Sequence, residues 1–101
     1  MLIYNITTKV NWSIHEDWLQ WMKEKHIPDV MRTGYFSEFR FARLLEIEEE
    51  EGPTYTNQFY IDTKEQYDQY ILIHAPNLRK EVFDKWINQI IAFRTLMELV
   101  H

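Results

Sequence analysis

The hydrophobic period of this chain switches from two to 3.6 and back, twice over, and few folds accept that order of elements. From Leu2 to Val10 the residues alternate, with Leu2, Tyr4, Ile6, Thr8 and Val10 set against Ile3, Asn5, Thr7 and Lys9, which is the period of a strand. From Ser13 onward Ile14, Trp18, Trp21, Met22 and His26 recur on one helical face, opened by the capping-box pattern Ser13-x-x-Glu16. Pro28 can begin a further helical turn and Gly34 is a natural stop. Tyr35 to Glu48 then reads as a long aromatic strand, Glu48 to Pro53 as a hairpin turn, and Thr54 to Asp62 as the antiparallel return. Thr63-x-x-Gln66 caps a second helix bearing Tyr67, Tyr70, Ile71 and His74. Pro76 restarts a helix with Leu78, Val82, Phe83 and Trp86, and Ile90 to Val100 alternates as a fourth strand.

The order is β-α-β-β-α-β, and the halves carry matching punctuation. His26-Ile27-Pro28 closes the helix of the first half and His74-Ala75-Pro76 that of the second. Phe41-x-x-Leu44-Leu45-Glu46-Ile47 also parallels Phe93-x-x-Leu96-Met97-Glu98-Leu99. Two split βαβ units with right-handed crossovers make a ferredoxin-like α+β sandwich, a four-stranded antiparallel sheet with its helices on one face, over a single domain of residues 1–101. The other face is left bare. Because the second strand is aromatic on both sides, that face is expected to pack against a second copy, closing a dimeric α+β barrel.

Composition points the same way. With 46% of its 101 residues hydrophobic and 16% aromatic, the chain holds more apolar surface than a core of this size hides, which favours a homodimer. A net charge of −5 with no basic stripe argues against nucleic-acid or anionic-membrane binding. Cysteine is absent, which excludes disulfides and thiolate chemistry, and the cytoplasm is the expected compartment. No 18-residue apolar run spans a membrane. Gly34 and Gly52 lie too far apart to form a phosphate-cradling loop, and His15-Glu16 fails as a zinc motif because Leu19 stands where the second histidine must be. No metal or cofactor is expected. The acidic run Glu48 to Glu51 reads as a solvated hairpin tip.

The string Trp18-Leu19-x-Trp21-Met22-Lys23-x-x-His26-Ile27-Pro28-Asp29-Val30-Met31-x-Thr33-Gly34-x-Phe36, with His74-Ala75-Pro76-x-Leu78-Arg79 further on, resembles a small bacterial family of domains of unknown function. The resemblance covers essentially the whole chain. That family looks like a branch of the dimeric α+β barrel superfamily, which implies sheet-to-sheet pairing and a pocket between each sheet and its helices. The superfamily spans antibiotic-synthesis monooxygenases, haem-degrading enzymes and lactone isomerases, so the resemblance implies a fold more than a reaction. Its haem-degrading branch uses a first-strand Asn, a helix-borne His and a Trp early in the second-half helix. Asn5 and His74 suit that pattern, whereas Lys64, Glu65, Gln66 and Tyr67 supply no Trp.

Histidines at helix ends interact favourably with the helix dipole, which accounts for both H-x-P motifs without chemistry. On inner helix faces, however, His26 and His74 are also candidate catalytic groups, acting as acid, base or ligand near neutral pH. The expected pocket adds Asn5, Trp18, Met22, Tyr67, Tyr70, Arg40 and Arg94, with the guanidinium groups suited to a carboxylate or enolate. A one-residue register shift exchanges Arg40 for Arg43 as the inward group, and pairing with Glu38, Glu46 or Glu98 is the structural alternative. The sequence thus points to a binder of a small hydrophobic or carboxylate molecule, or to a cofactor-independent monooxygenase-like or isomerase-like enzyme. The competing reading is a non-catalytic dimerisation or regulatory module.

Overall fold

In the computed structural model, which describes residues Met1–His101, strand β1 (Leu2–Val10) leads through a 3₁₀ turn (Trp12–Ile14) into α1 (His15–Trp21), a π turn (Met22–His26) and α2 (Ile27–Arg32). The hairpin strands β2 (Glu38–Arg43) and β3 (Thr54–Ile61) follow, then α3 (Lys64–Ile73), α4 (Ala75–Lys85) and β4 (Ile90–Glu98). The sheet order is β2-β3-β1-β4, antiparallel throughout, with β1 flanked by β3 and β4. This is the ferredoxin-like arrangement expected from the element order. No helix is long and apolar enough to cross a membrane.

Register assigns the two faces. Tyr4, Ile6, Thr8 and Val10 of β1 point to the helices together with Tyr55, Asn57, Phe59 and Ile61 of β3. The core sits there, on Trp18, Met22, Ile27 and Val30 from the first helical stretch and Tyr70, Ala75 and Trp86 from the second. Aromatic rings fill much of it: Phe36 meets Tyr70 edge-on at 4.7 Å and Phe59 at 5.1 Å.

Four expectations are corrected. The second strand is shorter than its aromatic run, and its two aromatic residues, Phe39 and Phe41, both face the helices. Glu38, Arg40 and Ala42 occupy the outer face, so that strand contributes little hydrophobic surface there. Ser13 caps no helix: Asn11 caps the 3₁₀ turn, its side chain accepting from the Ser13 amide at 2.8 Å, and α1 starts from Ile14 with no side-chain cap. Thr63, by contrast, caps α3 through the Gln66 amide at 3.2 Å, as its pattern indicates. The parallel between the Phe41 and Phe93 strings is not structural, because Phe41 faces the helices and Phe93 faces away from them.

The fourth correction concerns H-x-P. Pro28 has no amide to give to the carbonyl of residue 24, so an α-helix through it loses a bond and meets the proline ring. The chain widens instead: the Ile27 amide reaches back five residues to the Met22 carbonyl, and the helix runs on to Arg32. At His74 the outcome differs. Its φ of −108° departs from helical values, and this single residue separates α3 from α4. One motif makes a bulge and the other a break.

The acidic hairpin tip is tied down. Arg43 holds Glu49 at 2.7 Å, Lys9 pairs with Glu48 at 3.4 Å, and the Trp12 indole donates to the Glu49 carbonyl at 2.8 Å. Beside it Gly52 packs on the end of β1. A Cβ there would lie 1.6 Å from the Val10 carbonyl oxygen, so the close approach requires glycine.

Candidate functional site

The π turn sets the direction of His26. Its ring stacks on Trp21, with centroids 5.2 Å apart and planes 18° from parallel, and its other side meets a pocket between sheet and helices. Burial lowers its pKa to about 4, with Arg94 and Lys25 adding to the effect and Glu81 and Asp29 opposing it. The imidazole is therefore neutral at pH 7.

The floor of the pocket is one row of the sheet, in which Phe41, Asn57, Ile6 and Arg94 lie side by side on β2, β3, β1 and β4. The helices supply the roof through Trp18, Met22, Leu78 and Val82, and Arg79 enters from α4. The Arg79 guanidinium donates to the Tyr4 hydroxyl at 3.0 Å. Burial raises the Tyr70 phenol well above its usual pKa, with Tyr4 reinforcing the effect, so it stays protonated. The free volume is about 50 Å³.

Charge is one-sided there. Arg79 and Arg94 both line the pocket, neither forms an ion pair, and no Asp or Glu is among the lining residues. Three buried polar atoms at the walls also lack a partner: Asn57 Oδ1, Trp18 Nε1 and Arg79 Nε. The chain holds five such atoms in all, and gathering three at one cavity marks a place where a ligand would satisfy them.

Of the residues expected from the sequence, Trp18, Met22, His26, Tyr70 and Arg94 meet at this pocket. Tyr67 stands behind Tyr4, edge-on at 5.5 Å, and does not reach the wall. His74 is packed between Tyr35, at 5.4 Å, and Tyr70, at 6.1 Å, outside the pocket. Asn5 and Arg40 lie on the opposite face of the sheet, because each falls at an outward position of its strand. Asn5 donates there to the Thr7 and Thr95 hydroxyls, both at 3.1 Å, while Arg40 pairs with Glu38 at 3.3 Å. Asn5 and His74 thus occupy opposite sides of the sheet and cannot share one haem. No group of three His, Asp or Glu side chains is placed to hold a metal ion.

Asn57, Arg79, Tyr4 and Tyr55 are the members the sequence reading passed over. Asn57 had a signal, since it breaks the inward series Tyr55, Phe59, Ile61 with a polar side chain. Arg79 likewise interrupts the inner stripe Ala75, Leu78, Val82 of α4.

The profile of the domain of unknown function DUF4286 matches residues 1–100. The chain belongs to the DUF4286 family. Solved structures similar to this DUF4286 chain include an ethyl tert-butyl ether D (EthD) family protein from Bacillus halodurans, at 12% identity and TM-score 0.72, aligned over 99% of this chain and 100% of the other. A dimeric ferredoxin-like protein from an uncultured marine organism aligns at 16% identity and TM-score 0.70, over 100% and 96%. A Nitrosomonas europaea protein provisionally named an antibiotic biosynthesis monooxygenase aligns at 8% identity and TM-score 0.69, over the full length of both. At these identities the likeness establishes the ferredoxin-like fold. No curated protein matches the sequence.

Proposed function

We propose that this DUF4286 chain is a homodimeric small-molecule-binding protein whose ligand is an organic anion lodged between sheet and helices. The observation that carries the reading is the pair Arg79, half-buried, and Arg94, exposed at the pocket's edge, both free of acidic partners beside a mostly apolar pocket with no lining carboxylate. Guanidinium groups in such surroundings gain most from a carboxylate or enolate brought by a ligand. The depressed proton affinity of His26 favours binding over catalysis. A general base works best with a pKa near the operating pH, whereas a neutral imidazole with pKa about 4 serves as a hydrogen-bonding wall. Anion binding therefore ranks ahead of isomerase-like or oxygenase-like chemistry. Pairing of two copies through the bare sheet face is supported by its exposed apolar residues and by the dimeric state of a structural neighbour.

The test compares propionate with its neutral isostere propionamide at matched ionic strength, by thermal shift and calorimetry. Propionate is expected to stabilise the protein and propionamide to leave it unchanged, and Arg94→Met or Arg79→Met to weaken propionate binding by about 10- to 100-fold. Equal response to acid and amide, or full binding by both arginine variants, overturns the reading.

A further inference from the structure

We infer that the ligand is a short hydroxy acid, recognised at its carboxylate by Arg79 and Arg94 and at its hydroxyl by Asn57 and His26. This rests on the anion-binding reading and adds to it a statement about the rest of the molecule.

Two observations carry it. The first is the placing of Asn57. Its side chain is 4% exposed, it stands in the sheet row that also holds Arg94, and its Oδ1 has no partner. One strand separates the two residues, so their backbones are about 10 Å apart, close enough for both side chains to reach one small molecule lying over Ile6. A buried amide oxygen left unpaired is costly, and a ligand hydroxyl donating to it would remove the cost. His26 closes the same space from the helix side, and its ring nitrogens hydrogen-bond to no other side chain, so they are also open to a ligand. A carboxamide and a neutral imidazole each offer both a donor and an acceptor. The unpaired Asn57 Oδ1 needs a donor, which a hydroxyl supplies and a keto oxygen does not, and neither side chain carries a charge to match a second carboxylate.

The second observation is size. A free volume of about 50 Å³ is about one third of the ~150 Å³ cavity that takes a benzene ring. That space favours a chain of two to four carbons over an aromatic ring. Trp18, Met22 and Val82 around it are packed core or near-core side chains, which sets the limit firmly.

Propionate, lactate and pyruvate make the test, since they share a carboxylate and a methyl end and differ in the second oxygen. Calorimetry on the wild type is expected to give lactate about tenfold tighter than propionate or pyruvate, the worth of one net hydrogen bond. Asn57→Leu is expected to bring the ratio of lactate to propionate affinity to about one, and Asn57→Val provides a smaller variant should leucine not fold. Three acids of equal affinity on the wild type overturn the inference and leave the anion-binding reading standing. So does a preference that survives loss of the carboxamide. If propionate itself does not bind, the anion-binding reading fails and takes this one with it.

Discussion

His26 shows how one buried side chain ties stability to pH. Its pKa falls from 6.5 to about 4 on folding, so between these values the unfolded chain binds a proton that the folded chain refuses. Stability is unaffected by this group above pH 6.5 and is lost as the pH falls toward 4, by about 3 kcal/mol at the lower end. His26→Leu is expected to remove that component, and subtracting its urea-unfolding profile from that of the wild type isolates it from the carboxylates. Parallel profiles between pH 6.5 and 4 would show that the imidazole is not desolvated. At this scale the sequence was only partly legible. Helical spacing correctly turned His26, Trp18 and Met22 inward, because a stripe of apolar neighbours fixes a helical face. Asn5 and Arg40 were misplaced because strand faces depend on register, which a run of mixed residues does not specify. Asn57 and Arg79 escaped notice for a related reason: a polar residue at an inward position looks like noise until the cavity beside it is seen.

Among the elements, the π turn is where local rules and tertiary structure part. Proline after a helix end reads as a stop, and at His74 it acts nearly so. At Pro28 the stretch from Trp12 to Arg32 stays helical because Trp18, Met22, Ile27 and Val30 must all reach the same core, and one widened turn satisfies both that packing and the missing amide. A π turn amounts to one residue inserted in an α-helix, so deleting an exposed residue from it, Lys23 or Glu24, should restore five-to-one bonding except at Pro28, which still has no amide to give. The deletion also rotates everything on one side by about 100° relative to the other. The expected outcome is retained or increased helical circular dichroism with propionate binding lost, because His26 and Met22 no longer share a wall. Undiminished binding in the deletion variant would mean that the bulge has no part in building the site.

For the molecule as a whole, the order of elements was the most legible feature, since two passes from strand to helix period and back in 101 residues leave little alternative to a four-stranded sheet under one layer of helices. The location of the surplus apolar surface was not. It lies on β4 rather than on the aromatic second strand: Ile91 and Phe93 are 69% and 59% exposed, beside Ile3 and Met97 on the same outer face. A patch of this kind on a sheet with no covering layer favours pairing of copies. Light scattering at micromolar concentration is expected to give twice the chain mass for the wild type and the single chain mass for Phe93→Lys, with unchanged circular dichroism because the substituted side chain is already at the surface. A monomeric wild type would refute the pairing. The same variant asks whether the two faces are independent. Arg94 points to the helices from a position next to Phe93, and the Asn5 bond to Thr95 locks β1 to β4 on the outer side. If the sheet transmits no strain between its faces, monomeric Phe93→Lys binds propionate as the dimer does. A fall of more than about tenfold would make pairing part of the binding site.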